Sequence, residues 1–183
     1  MSILTDAYYV EKIQAGETEC FAILLDRYSQ SVFSLIVKIV GSREDAEELT
    51  QDVFLKVFRS LSSFQGNSLF STWLFRIAYN VAVSATRKKK YEWVAVEEST
   101  LDQLPENEIS DEVEQLEKEE QLSRLEKALD QLQPDERALV SLFYLQEKQV
   151  DEIASITGLS VSNVKTRLHR IRKKMFLLMI NGK

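Results

Sequence analysis

The sequence predicts an all-α protein, and three observations carry that expectation. Apolar residues recur at three- and four-residue steps along most of the chain, the period of a helix with one buried face. Only five Gly and two Pro interrupt 183 residues, so long helices can run unbroken. Charge is segregated along the chain: the net charge of -6 averages an acidic middle and a basic C-terminal helix. With 44% hydrophobic residues, the length suffices for one large or two small globular domains.

Composition also excludes several classes. Cys20 is the sole cysteine, which rules out an internal disulfide and a cysteine-based zinc site and fits a reducing compartment. The N-terminus has no basic segment leading into an apolar run. No stretch approaches the about 20 apolar residues of a spanning helix, so a cytoplasmic protein without membrane insertion is expected. His169 is the only histidine, and no nucleophile or metal cluster accompanies it. No catalytic site, metal or cofactor is expected.

In chain order, Ser2 to Ala15 reads as a short helix with Ile3, Ala7, Val10 and Ile13 on one face, ended by Gly16. Thr18 is placed to cap the next helix, in which Phe21, Leu24, Leu25, Tyr28, Val32, Leu35, Ile36 and Ile39 hold helical spacing up to Gly41. Ser42 starts a third, with Asp45 positioned for a capping box and Ala46, Leu49, Val53, Val57 and Leu61 on its core face. Glu44, Glu47, Glu48, Gln51 and Asp52 crowd its other side. Acids near a helix N-terminus are favourable in themselves. That account leaves Phe54 and Phe58, which flank the core stripe, unexplained.

The small and polar residues Ser62 to Ser68 mark a loop, and Ser71 or Thr72 can cap the helix after it, whose inward face is Leu74, Ile77, Ala78, Val81 and Ala85. Arg76, Asn80, Ser84 and Arg87 fall on one outward stripe that Lys88, Lys89 and Lys90 extend. Phe64, Phe70, Trp73, Phe75 and Tyr79 gather around the loop and the helix start. Rings interleaved with cations suit single-stranded nucleic acid, because unpaired bases stack on the rings while the cations follow the phosphates. Core packing accounts for some of these rings equally well.

From Glu97 to Glu126 the chain carries twelve acids against Lys118 and Arg124. Pro105 and the absence of helical period make about residues 91–110 a flexible acidic linker. Val113, Leu116, Leu122, Leu125, Leu129 and Leu132 then mark a helix ending at Pro134.

Gln149 to Lys174 reads as a helix-turn-helix. Ile153, Ala154 and Ile156 face inward, Gly158 makes the turn, and Val161, Val164, Leu168 and Ile171 give the second helix its buried face. Lys165, Arg167, Arg170, Arg172, Lys173 and Lys174 lie between Asn163 and Lys174 with no acid among them. Cations on such a face bind phosphates, while Asn163, Lys165, Thr166, His169 and Arg170 are placed to meet base edges in a major groove. A helical hairpin with a solvated basic face is the plainer alternative.

The stretches DAEELTQDVFLKVF (Asp45 to Phe58), SFQGNSLFSTWLFRIAYNVA (Ser63 to Ala82) and LQPDERALVSLFYL, followed by the helix-turn-helix, together resemble a bacterial RNA polymerase sigma factor of the extracytoplasmic-function type. The resemblance covers nearly the whole chain and implies two helical domains. These are a region 2 bundle over residues 1–90 and a region 4 helix-turn-helix over 111–183, joined by the linker 91–110. It implies that core polymerase is bound through its clamp coiled coil and flap, with Glu48, Gln51, Asp52 and Phe54 as contacts. It places Phe64, Asn67, Phe70, Trp73, Arg76, Asn80, Ser84 and Arg87 at the minus-10 element, held as a single strand with a flipped base. Asn163, Lys165, Thr166, Arg167, His169, Arg170 and Lys173 fall at the double-stranded minus-35 element. An anti-sigma factor is a further implied partner. The alternative is a LuxR-like regulator, which begins its helix-turn-helix region with a stretch similar to Pro134 to Arg137 but usually follows an α/β receiver.

Overall fold

The computed structural model describes residues 5–87 and 118–181, so expectations for Ile3, Lys88 to Lys90, the linker 91–110, Val113 and Leu116 lie outside the described residues. Among the described residues the elements are helical throughout. Helix α1 (Asp6–Gln14) is capped by Thr5, whose hydroxyl accepts from the Tyr8 amide. Helix α2 (Phe21–Val40) stops at Gly41, held in the left-handed region at φ 74° where a side chain would be strained. Thr18 does not cap α2. It opens a single 3-10 turn, Thr18–Cys20, which runs directly into the helix and satisfies the Cys20 amide through the Glu17 carbonyl.

Helix α3 (Arg43–Ser60) is capped by Ser42, whose Oγ accepts from the Asp45 amide at 3.3 Å. Helix α4 (Phe70–Arg87) begins earlier than expected. Ser71 and Thr72 are buried in its first turn rather than capping it, and the Leu69 carbonyl accepts from the Trp73 amide. Helix α5 (Lys118–Asp130) is followed by α6 (Pro134–Val140), which continues as a π turn over Ser141–Leu145. Helix α7 (Val150–Thr157) and helix α8 (Val161–Asn181) meet at Gly158, φ 77°, which forms the helix-turn-helix bend.

The expected inward faces are largely buried, with four exceptions. Ala7 is exposed because Val10 and Ile13, with Tyr9 partly buried beside them, seat α1 on the bundle. Leu25 is 39% exposed, beside a shallow cleft between α2 and α3. Leu122 points outward on the first turns of α5, whereas Ala128 and Leu132 are sealed. Val161, the first residue of α8, is 37% exposed, one turn before the helix settles on Val164 and Leu168.

One hydrophobic core runs from Val10 to Ile171 across both halves of the chain. Helix α2 packs on α3, α4 and α6, helix α4 on α3 and α7, and helix α8 on α5, α6 and α7. Thr18–Val40 is, contrary to expectation, long and apolar enough by length and composition to cross a membrane. Its Leu24, Val32, Leu35, Ile36 and Ile39 are fully enclosed by the other helices, and Asp26, Arg27 and Lys38 interrupt it, so here it serves as the central core helix.

Asp6 ties α1 to α2 through Arg27 and the Tyr28 hydroxyl. Burial, then the hydrogen bond to Asp6, push the Tyr28 phenol well above its ordinary value of 10.0. The unfolded chain therefore loses this proton first, and stability should fall as pH rises through that ordinary value. Thermal unfolding between about pH 8 and 11 should show a shallower decline for Tyr28→Phe than for the parent chain.

A candidate nucleic-acid interface

The loop between α3 and α4 carries a stacked set of rings. Phe64 and Trp73 lie 4.9 Å apart between centroids, and Phe70 sits beneath both at 6.2 and 6.0 Å. Phe70 is only 4% exposed and also packs on Tyr28. This corrects its expected place among the outward rings: it supports Phe64 and Trp73, which remain half-buried and reachable at their edges. Asn67 is exposed at the loop tip and donates to the Gln65 side chain at 3.2 Å. Leu69, missed in the sequence reading, is 67% exposed beside it. An apolar residue within so polar a loop was the available signal.

Arg76, Asn80, Ser84 and Arg87 are all exposed and share the outward stripe of α4. Opposite this stripe, Leu74, Ala78 and Ala82 are fully buried, and the two alanines let neighbouring helices approach closely. Tyr79, half-buried next to the stripe, has its phenol raised by burial first and by the Asp135 carboxylate second, with Arg167 opposing. The last two groups belong to the C-terminal half.

On α8, Asn163, Lys165, Thr166 and His169 are exposed and Arg167 and Arg170 are half-exposed. Arg167 donates to Asp135 at 2.9 Å and to Asn163 at 3.1 Å. Lys173 is only 9% exposed, which removes it from the outward basic face. By residue 173 the helix is enclosed by α5 and α6, and the lysine stem is covered with the rest of that surface. Its neighbour Lys174 is likewise enclosed and pairs with Glu136 at 2.8 Å.

The acidic face of α3 divides in the same manner. Glu48, Gln51 and Asp52 are exposed, but Phe54 is 6% exposed and packs edge-on against Phe21. Phe54 is therefore a core residue and not an outward contact. Leu55, 53% exposed one turn beyond Gln51, and Phe58, 41% exposed, supply the apolar part of that surface instead.

Two family models match the chain, Sigma-70 region 2 over residues 24–91 and Sigma-70, region 4 over residues 122–175. The ECF RNA polymerase sigma-E factor of Escherichia coli (strain K12) is 32% identical over 176 residues, covering 93% of this chain and 92% of that protein. The chain belongs to the ECF RNA polymerase sigma factors. Such a sigma factor directs promoter-specific transcription initiation through RNA polymerase, and the regulator alternative is not favoured. The ECF RNA polymerase sigma factor SigW of Bacillus subtilis (strain 168) is 28% identical over 175 residues, covering 91% of this ECF sigma factor and 92% of that protein. Two solved structures share the fold. CnrH in complex with the cytosolic domain of CnrY gives a TM-score of 0.69 at 21% identity, covering 97% of this chain and 99% of that one. The sigma factor RpoE in complex with the anti-sigma factor NepR from Bartonella quintana gives 0.64 at 23% identity, covering 89% and 98%.

The ion pairs of this ECF sigma factor differ in depth, and so should their contributions. Glu136→Ala would strand the enclosed Lys174 and should cost about 3 kcal/mol in denaturant unfolding. Glu17→Ala breaks the exposed Lys12–Glu17 pair and should leave the unfolding midpoint close to that of the parent chain.

Proposed function

We propose that this sigma factor reads its promoter through two surfaces and docks on core polymerase through a third. The observation that carries the reading is the outward stripe Arg76, Asn80, Ser84 and Arg87 beside the ring-lined loop of Phe64, Asn67 and Trp73. A base flipped from the melting minus-10 strand stacks against Phe64 and Trp73. The amide of Asn80 meets its edge, and the two arginines follow the phosphates. Asn163, Lys165, Thr166, His169 and Arg170 enter the major groove of the minus-35 element, with Arg167 on its backbone. Glu48, Gln51, Asp52 and Leu55 face the clamp coiled coil, and region 4 meets the flap. The chain supplies positioning and strand separation and no catalysis of its own.

The two units run over residues 1–90 and 111–183, with 91–110 as tether. In the structure α4 and α7 are in contact, whereas promoter elements two helical turns apart lie about 70 Å from one another. The units must separate on the promoter; about 20 extended residues reach about 65 Å, and the breadth of the two units themselves covers the rest of the span. An anti-sigma factor is the further partner; its support is the likeness in fold to RpoE in complex with the anti-sigma factor NepR. The site of action is the cytoplasm, where polymerase is.

Reconstituted transcription on fragmented source DNA, with sequenced 5′ ends, tests the whole reading. New starts sharing two motifs at fixed separation are expected, and an absence of new starts despite DNA binding would overturn it. Gln51→Ala and Asp52→Ala should weaken holoenzyme assembly while leaving minus-35 duplex binding intact. Equal loss of both would remove the docking assignment. Asn80→Ala should alter preference at one minus-10 base only. Arg170→Ala should cost about 1 to 3 kcal/mol on the minus-35 duplex, read by titration at fixed salt.

A further inference from the structure

We infer that the N-terminal helix is a splint for the base-reading loop, and that Gln14 is its positioning residue. The inference rests on the minus-10 reading above. Gln14 is the last residue of α1, and its side-chain amide donates to two carbonyls about 50 positions further along: Leu61 at 2.9 Å and Phe64 at 2.9 Å. Those carbonyls bracket the turn that launches the loop. The Leu61 carbonyl also accepts from the Phe64 amide at 3.1 Å, so the amide of Gln14 closes a turn whose last residue carries the outer ring of the stack. At the other end of the same helix, Asp6 holds Tyr28. The Tyr28 ring lies 5.8 Å from that of Phe70, the first residue of α4. Helix α1 is thus fastened to both feet of the loop, 61–64 through Gln14 and Phe70 through Asp6 and Tyr28.

A loop fixed at both feet presents Phe64 and Trp73 at one spacing, which a flipped base meets without first ordering them. Released at the Gln14 foot, Phe64 loses its fixed backbone and the pocket accepts bases less selectively. Gln14 itself is exposed, so its loss leaves the core packing untouched. A carboxylate of the same shape offers acceptors where both partners are acceptors, which makes Gln14→Glu the sharper variant and Gln14→Leu its uncharged control.

The test uses holoenzyme reconstituted with the full chain and forked DNA whose non-template strand is randomised through the minus-10 segment. Bound molecules are sequenced for the parent, Gln14→Glu, Gln14→Leu and Asn80→Ala chains. Both Gln14 variants should lose about fivefold in base discrimination within that segment, with core-polymerase affinity and minus-35 duplex affinity unchanged and the melting temperature lowered by only a few degrees. Discrimination equal to the parent in both, in an assay where Asn80→Ala alters it, would overturn the splint and leave the minus-10 reading standing. A parent chain that discriminates no base there would overturn both. Equal losses at the minus-35 duplex would mark the Gln14 effect as general destabilisation and also overturn the inference.

Discussion

Helix α4 is enclosed on two sides and open on a third, and the rest of the molecule is arranged around that division. Phe70, Leu74, Phe75, Ala78 and Ala82 are buried within a core that also takes in residues of the C-terminal half. Burying a large apolar side chain contributes about 1.5 to 3 kcal/mol, so these positions fix the helix rotation far more firmly than any surface contact could. Arg76, Asn80, Ser84 and Arg87 then point outward because the period of the helix leaves them nowhere else. Their aim is set by residues that never touch a ligand.

The seam between the two halves mixes apolar and charged contacts. The Lys148 ammonium lies 5.2 Å from the Phe75 ring centroid, and Arg137 reaches to within 3.4 Å of where a side chain on Gly41 would begin. Asp135 and Arg167 meet at its edge, close enough to Tyr79 to influence its proton. Between α2, α5, α6 and α8 an open groove of about 810 Å³ runs past Val37, Leu125, Leu129, Ile171 and Met175. Contacts of this kind, exposed at the rim and interrupted by a groove, release more readily than a sealed core. A cation–π contact of the Lys148 type contributes about 1 kcal/mol, an amount that binding elsewhere can offset.

Much of this was legible in the sequence, and the failures share a physical origin. The stops at Gly41 and Gly158 were readable because only glycine takes the left-handed conformation without strain, and the α4 stripe because steps of four and three stay on one face. Phe54 and Leu55 show the limit. Adjacent residues differ by about 100° around a helix, so which of them turns inward depends on where Phe21 lies, and periodicity does not record that. Lys173 looked like part of a basic face because sequence reports charge and not enclosure by α5 and α6. The fastening of α1 to the loop was equally invisible, since Gln14 meets carbonyls that every residue possesses. The contact of α4 with α7 depends on tertiary packing between distant segments, and no local pattern encodes it.

Arg167 lies at the edge of the seam, near Tyr79, and also on the proposed promoter-reading face. In the closed arrangement Asp135 holds its guanidinium; on the proposed promoter it lies along phosphates. The two anions compete for one cation, and because Asp135 and Arg167 both lie in the C-terminal half, that competition is the same whether the units are together or apart. Phosphate binding is also sensitive to salt, whereas a partly shielded pair of side chains is less so, which tilts the competition toward Asp135 as ionic strength rises. The basic helix therefore does more than supply affinity. Through one side chain it also carries an internal competitor for phosphate, so engagement of the upstream element includes the release of Arg167 from Asp135.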